Sequence, residues 1–176
     1  TAAARARRVE GSRSCCVVLQ AAWPESVAVE TGARAVRELI GDIWTLANRD
    51  HAWVVITTNG DVRHDYLAVM GRGIAREAAI RFPRLLAELG ERIALTGNHL
   101  HHFDAYELIT FPVKHHWREL ADLRLIERSA RELAVYASEI NRPVYLVRPG
   151  CGNGGLHWDA VRPRLEPYLS GEKYAI

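Results

Sequence analysis

The sequence is short of the features that mark most special classes of protein. Its 176 residues hold only three cysteines, and two of these, Cys15 and Cys16, are neighbours. No disulfide framework and no oxidising compartment is implied. No apolar run approaches the ~20 residues that span a bilayer. The opening residues Thr1–Arg8 are Ala and Arg without the hydrophobic core of a secretory signal behind them. A cytoplasmic protein with no membrane attachment is expected. An excess of one charge is missing too, since 23 Lys and Arg face 21 Asp and Glu for a net +2. That balance excludes a dedicated nucleic-acid binder recognised by charge alone, so any contact with DNA or RNA has to be local. Internal repeats and low-complexity segments are absent as well.

What is there is ordinary globular composition, 48% hydrophobic and 25% charged, enough for one domain with a real core. Residues 1–35 read as an N-terminal extension. Its first part, Thr1–Ser14, is small and basic with Arg5, Arg7, Arg8 and Arg13. Short strands at Cys15–Gln20 and Ser26–Glu30 are separated by Trp23-Pro24.

From residue 36 the pattern sharpens. Val36–Ile43 reads as a strand interrupted by Gly41-Asp42, and Trp53–Thr58 as a β-branched strand ending at Asn59-Gly60. Ile74, Ala75, Ala78, Ala79 and Phe82 fall at helical spacing, which Leu85, Leu86 and Leu89 continue beyond a kink or break at Pro83. Tyr106–Val113 predicts a strand, and Leu123, Ile126, Ala130, Leu133, Ala137 and Ile140 stripe one long helix. Pro143–Val147 predicts a buried strand. Trp158, Val161, Leu165 and Leu169 predict a short closing helix that tolerates Pro163 by placing it near the first turn. Strands alternating with helices give an α/β sandwich with a partly parallel sheet.

Two glycine-bearing turns carry the chemistry. Gly150-Cys151-Gly152-Asn153-Gly154-Gly155-Leu156 lies between a buried strand and a helix with the spacing of a dinucleotide fingerprint. Only 21 residues follow Gly155, too few for the second strand and acidic residue of a Rossmann unit. What survives is a bare backbone whose N–H groups suit a pyrophosphate; the alternative is a tight turn serving packing alone. Gly71 and Gly73 open a second helix in the same manner, and two such loops at strand ends suggest one diphosphate held between them. Lys114 leaves a strand end ahead of His115, His116 and Trp117. A lysine there, partly desolvated, serves as a nucleophile or places positive charge near a developing anion; the bland alternative is a solvated surface lysine. Asp42 suits an exocyclic amine or a turn, and Asn59 a sugar hydroxyl or the Asn-Gly turn itself. No metal site is expected from His99, His101, His102, His115 and His116, which lack cysteine or carboxylate partners at structural-zinc spacing.

In order, Gly41-Asp42-Ile43, Thr58-Asn59-Gly60, Val69-Met70-Gly71-Arg72-Gly73-Ile74-Ala75, Phe111-Pro112-Val113-Lys114-His115-His116-Trp117 and the Gly150–Leu156 run resemble the macrodomain family. The similarity is to the branch containing DNA ADP-ribosyl glycohydrolase antitoxins and terminal ADP-ribose protein glycohydrolases, over residues 36–176. It implies a three-layer α/β/α macrodomain with a mixed, partly parallel sheet. It also implies an ADP-ribosyl hydrolase that needs no cofactor, acts on ADP-ribosylated protein or DNA and works as a monomer. A non-catalytic ADP-ribose reader and an ADP-ribose 1″-phosphate phosphatase are the rival readings. By resemblance Asp42 holds the adenine amine with Ile43 beside it, and Asn59 the distal ribose. Met70, Gly71, Arg72, Gly73 and Ile74 form one phosphate loop. Gly150, Cys151, Gly152, Asn153, Gly154, Gly155 and Leu156 form the other. Lys114 is the catalytic residue, with His116 and Trp117 as accessories. Three departures stand out: residues 60–69 lengthen the rim of the distal pocket, Arg72 and Val113 replace the usual lysine and threonine, and Gly154 occupies the place of the protein-directed branch's catalytic aspartate.

Overall fold

The computed structural model describes residues 36–176. The strands expected at Cys15–Gln20 and Ser26–Glu30, and the basic tail, lie outside the described residues. Five strands form one sheet in the order β2-β3-β1-β4-β5. They are β1 (Trp53–Asn59), β2 (His101–Phe103), β3 (Leu108–Lys114), β4 (Val144–Leu146) and β5 (Tyr174–Ala175). β1 pairs in parallel with β3 and with β4, β4 in parallel with β5, and only β2 runs antiparallel, against β3. Helices α1 (Ile43–Asp50), α2 (Gly73–Arg81) and α3 (Leu85–Thr96) cover one face, and α4 (Leu123–Ser138) and α5 (Trp158–Leu165) the other. This is the expected three-layer arrangement with a mixed sheet.

The central strands are apolar on both sides because both faces are covered. Val54 and Ile56 of β1 pack with Leu108 into the α1–α3 core, whereas Trp53 and Val55 join Ile109, Phe111 and Val113 in the α4–α5 core. The stripe on α4 buries Ile126, Ala130, Leu133 and Ala137, and Ser129 Oγ donates to the Pro112 carbonyl of β3 at 2.8 Å. Asp122 caps the N-terminus of α4 by accepting from Arg124 N–H at 2.8 Å, satisfying one of the orphan donors there. Lys173 donates to the Ala137 and Ile140 carbonyls at the far end.

Several expectations need correction. Val36–Ile43 is not a strand: residues 36–40 belong to no helix or strand, and Asp42 caps the start of α1. The Gly-Asp pair is a helix entry, with the Asp42 carboxylate accepting from Thr45 N–H at 2.8 Å. Residues 37 and 39 nonetheless exchange backbone hydrogen bonds with Ile176 at 2.9 Å. The strand expected from Tyr106 begins at Leu108, because a 3-10 turn at Asp104–Tyr106 and a left-handed Glu107 (φ 51) precede it. Of the two outcomes expected at Pro83, a kink or a break, the structure has the break, with α2 ending before it and α3 starting after it. Pro163 sits inside α5 instead of near its first turn. It is tolerated because Pro163 and Asp159, whose carbonyl loses its partner, are both exposed to water.

One packing contact positions a loop. The turn-rich segment between β1 and α2 bears on α3 at Gly90, where an added Cβ would lie 1.9 Å from the Tyr66 carbonyl oxygen. Ala68 N–H donates to the Leu86 carbonyl at 2.9 Å beside it. Alanine is the better helix former by about 1 kcal/mol, yet Gly90→Ala is expected to lower stability by about 1–3 kcal/mol through overpacking. Urea unfolding measures the difference; a gain in stability would show that the loop does not seat on α3.

Candidate functional site

The parallel strands β3, β1 and β4 all end at the same edge of the sheet. The chain leaves β1 over one face to reach β3 and returns over the other face to reach β4. Such a switch of side opens a crevice beyond the carboxyl ends of the strands. Here it is a cavity of about 840 Å³. Its lining takes Gly41, Asp42 and Ile43 from the entry to α1, Thr57–Asn59 from β1, and Val69–Ala75 from the first glycine turn. Glu77 of α2, Val113 and Lys114 of β3, Trp117–Leu120, Val147 and Arg148, and Gly150, Gly152, Asn153 and Gly154 complete it.

The glycine turns face each other across this space. α2 begins at Gly73 (φ 54), and its cap residue Arg72 supplies no side-chain cap, so the first N–H groups of the helix stay available. In the second turn Gly150 and Gly155 take φ of 75 and 74, the left-handed conformation that glycine alone adopts freely. Among the described residues, the N–H groups of Gly152, Asn153 and Gly154 donate to no protein acceptor. A Cβ at Gly152 or Gly71 would meet nothing within 4 Å, whereas one at Gly154 would lie 2.3 Å from the Gly150 carbonyl oxygen. Gly154 is therefore glycine because its own loop folds onto it. The two turns approach at Gly73, where a Cβ would come within 3.2 Å of Asn153 Nδ2.

Lys114 joins strand end to glycine turn, since its Nζ donates to the Asn153 carbonyl at 2.6 Å. The Lys114 backbone is held in turn: Asn98 Nδ2 and Gly60 N–H both donate to its carbonyl, at 2.9 and 3.2 Å. Gly60 has no side chain because the Asn98 amide fills that space, 2.8 Å from where a Cβ would stand. The Asn98 carbonyl accepts from Arg128 of α4. Arg128 and His99 then meet the buried Glu132 carboxylate at 3.4 and 2.8 Å. Asn59 has both ends of its amide engaged, accepting from Asp61 N–H at 3.0 Å and donating to the Val69 carbonyl at 2.8 Å. It thus ties the end of β1 to the start of the first glycine turn while lining the cavity.

Asp61 steers the segment after Lys114. One carboxylate oxygen accepts from Trp117 N–H at 2.6 Å and lies 3.7 Å from His116 Nε2. Trp117 stays 45% exposed at the cavity rim with the Arg118 guanidinium 4.6 Å over its ring. His116 does not line the cavity; its Nδ1 accepts from Arg118 N–H at 3.2 Å. Nor do Cys151, Gly155 and Leu156, whose places are taken by backbone turns and by packing of Leu156 into the core. Burial pushes the Cys151 thiol up. Met70 is buried beneath its turn, 5% exposed. Asp61 and Arg148 went unnoticed in the sequence, although Asp61 follows Asn59-Gly60 and Arg148 is a charge directly after a buried strand. Asn98 had no local signal, because only the fold brings it to Lys114.

No family model matches the chain. Over 109 residues, 56% of the chain, it is 33% identical to a DNA ADP-ribosyl glycohydrolase of Mycobacterium tuberculosis. Over 113 residues, 58% of the chain, it is 28% identical to one of Thermus aquaticus. The chain spans about a third of the length of these curated relatives, 31% of each. Among solved structures, the macrodomain of Mycobacterium tuberculosis DarG matches 81% of this chain and 97% of its own at a TM-score of 0.63 and 25% identity. Thermosipho africanus DarTG in complex with ADP-ribose matches 78% of this chain and 40% of its own at 0.63 and 21% identity, a likeness of fold.

Two measurements test the site's construction. Gly154→Ala is expected to lower the melting temperature by several degrees, as a loss of about 1–3 kcal/mol does, while Gly152→Ala leaves it unchanged; equal melting of both variants would refute the crowding at Gly154. The second concerns Asp122, which pairs with His115 Nε2 at 3.1 Å. Burial raises its carboxyl, but the Arg124 N–H and His115 outweigh that and hold it below the usual value. A carboxylate depressed on folding stabilises above its unfolded pKa and loses that effect as pH falls through the folded one. Asp122→Ala should therefore flatten the acid limb of a stability–pH curve below about pH 4.

Proposed function

The chain is a macrodomain related to the DNA ADP-ribosyl glycohydrolases, and on that premise we propose that it binds ADP-ribose and removes mono-ADP-ribose from an acceptor. The observation that supports this reading is the pair of glycine turns facing each other across one cavity, with Lys114 Nζ bonded to the second of them at Asn153. Bare N–H groups at the start of α2 and at Gly152–Gly154 suit the diphosphate. The Gly41–Ile43 wall takes the adenine, with Asp42 accepting from its amine, and the Asn59 and Lys114 end takes the distal ribose. Asn59 acts there mainly through the loop it fixes, because both ends of its amide are already engaged.

In the reaction water adds across the bond between C1″ and the acceptor, giving free ADP-ribose and the protonated acceptor. Diphosphate contacts far from that bond hold the anomeric carbon in place, so remote binding energy serves orientation. Lys114 acts at C1″, by attack, through a Schiff base with the opened ribose, or by electrostatic support of the leaving group. Borohydride added during turnover separates these routes, since it traps only the imine as a stable amine on Lys114. The acceptor is a protein carboxylate, a thymidine in DNA, or both. The crowding at Gly154 supports chemistry that runs on the lysine without a loop aspartate. Trp117 and Arg118 at the rim are suited to a flat base.

The deciding experiment presents carboxylate-linked mono-ADP-ribosylated protein and ADP-ribosylated single-stranded DNA in parallel to the wild type and to Lys114→Ala. Release of ADP-ribose is expected from both substrates with the wild type. Lys114→Ala should retain ADP-ribose affinity within a few-fold and lose turnover by about 100-fold or more, as for a group acting mainly in the transition state. Tight binding without release by the wild type would make the protein a reader of ADP-ribose, and full activity of Lys114→Ala would remove the lysine from the mechanism.

A further inference from the structure

Two residues beyond β4 the chain puts Arg148 against the cavity, which it lines together with Val147 and Ile43. Its partner Glu38 stands three residues before Gly41, where the Gly41–Ile43 wall begins. The Arg148 side chain is fixed from outside the cavity. Nη2 donates to Glu38 Oε2 at 2.5 Å, and Cζ lies 5.2 Å from the centre of the Trp158 ring. Glu38 is anchored independently, for its Oε1 accepts from Trp158 Nε1 at 3.2 Å and lies 3.4 Å from Arg162 Nη1. The stretch carrying Glu38 is tied to Ile176 by backbone hydrogen bonds on both sides, through Arg37 O and Leu39 N. A long side chain that would otherwise sample many rotamers is thus held in one place before any ligand arrives.

Two features of this arrangement bear on what Arg148 is for. Its charge is already answered by the Glu38 carboxylate, so it adds little net attraction for a distant diphosphate. What it still offers is a flat, weakly hydrated surface, stacked against an indole and bordering the cavity. We propose that Arg148 is a specificity-determining residue for the base of the bound nucleotide: its guanidinium plane, backed by Trp158, forms a wall on which the purine stacks across from Ile43. The inference rests on the ADP-ribose reading of the cavity. It assigns purine selection to shape and stacking, with Asp42 supplying the hydrogen bond at the base edge.

Arginine and lysine separate stacking from charge, because lysine preserves the ion pair with Glu38 but has no plane. Calorimetric titration with ADP-ribose is run on the wild type, Arg148→Lys and Arg148→Ala, with thermal unfolding of each. Arg148→Lys is expected to keep the wild-type melting temperature and to raise the Kd roughly three- to thirty-fold, the worth of a cation–π or stacking contact, and Arg148→Ala should raise the Kd to a similar extent. Wild-type affinity in either folded variant overturns the proposal and leaves the ADP-ribose reading standing. If Arg148→Ala fails to fold, the lysine variant alone decides. Absence of ADP-ribose binding by the wild type overturns the reading of the cavity and this inference with it.

Discussion

Parallel pairing of β1 with a neighbour on each side is the constraint from which the rest of the molecule follows. Parallel neighbours need long crossovers, and here one crossover runs over each face, so the sheet is covered on both sides and its central strands bury apolar side chains on both faces. The same pairing points the carboxyl ends of β1, β3 and β4 the same way, with β4 stopping at Leu146 opposite Val55, four residues before the end of β1. The residues that follow β1, β3 and β4 are then forced into one space: Asn59 with its turn, Lys114 with the Trp117 segment, and Arg148 with the glycine turn. A cavity lined from positions roughly fifty and ninety residues apart is a by-product of strand direction.

Within that frame, polar groups do the fixing. Lys114 is gripped through its backbone by Asn98 and Gly60 and through its side chain by Asn153. Behind Asn98 stand Arg128, His99 and the buried Glu132, so a charged side chain of α4 with almost no exposure is connected to the lysine by contiguous contacts. An unpaired carboxylate there would be costly; with His99, Leu100 N–H and Arg128 around it, Glu132 instead locks the connection between α3 and β2.

Features written in short-range pattern were legible in the sequence. The β-branched run of β1, the apolar stripe of α4 and both glycine turns announce themselves within a dozen residues, and the three-layer class follows from their alternation. The entry to α1 was misread because Val36, Leu39 and Ile40 look β-like, whereas the Asp42 cap outweighs propensity at that point. β2 and β5 are three and two residues long, too short for any periodicity to show, and exist because a neighbouring strand offers them a ladder. Arg148 and Asn98 were invisible for another reason. Their partners, Glu38 and Trp158 for one and Lys114 for the other, lie far along the chain, and only tertiary contact reveals what they do.

The segment between β1 and α2 is built in a way that separates where it sits from what it presents. Its place is written in main-chain bonds, from Arg63 N–H to the Leu67 carbonyl, Val69 N–H to Asp61 and Ala68 N–H to Leu86, and in its seat against Gly90. The side chains of Arg63, His64 and Tyr66 are exposed and make no hydrogen bond to that backbone, whereas Asp65 accepts from Leu67 N–H at 3.4 Å. Mutational drift at Arg63, His64 and Tyr66 therefore leaves the core untouched while altering the chemistry of the exposed surface there. Related chains can diverge in surface chemistry along this stretch long before they diverge in fold.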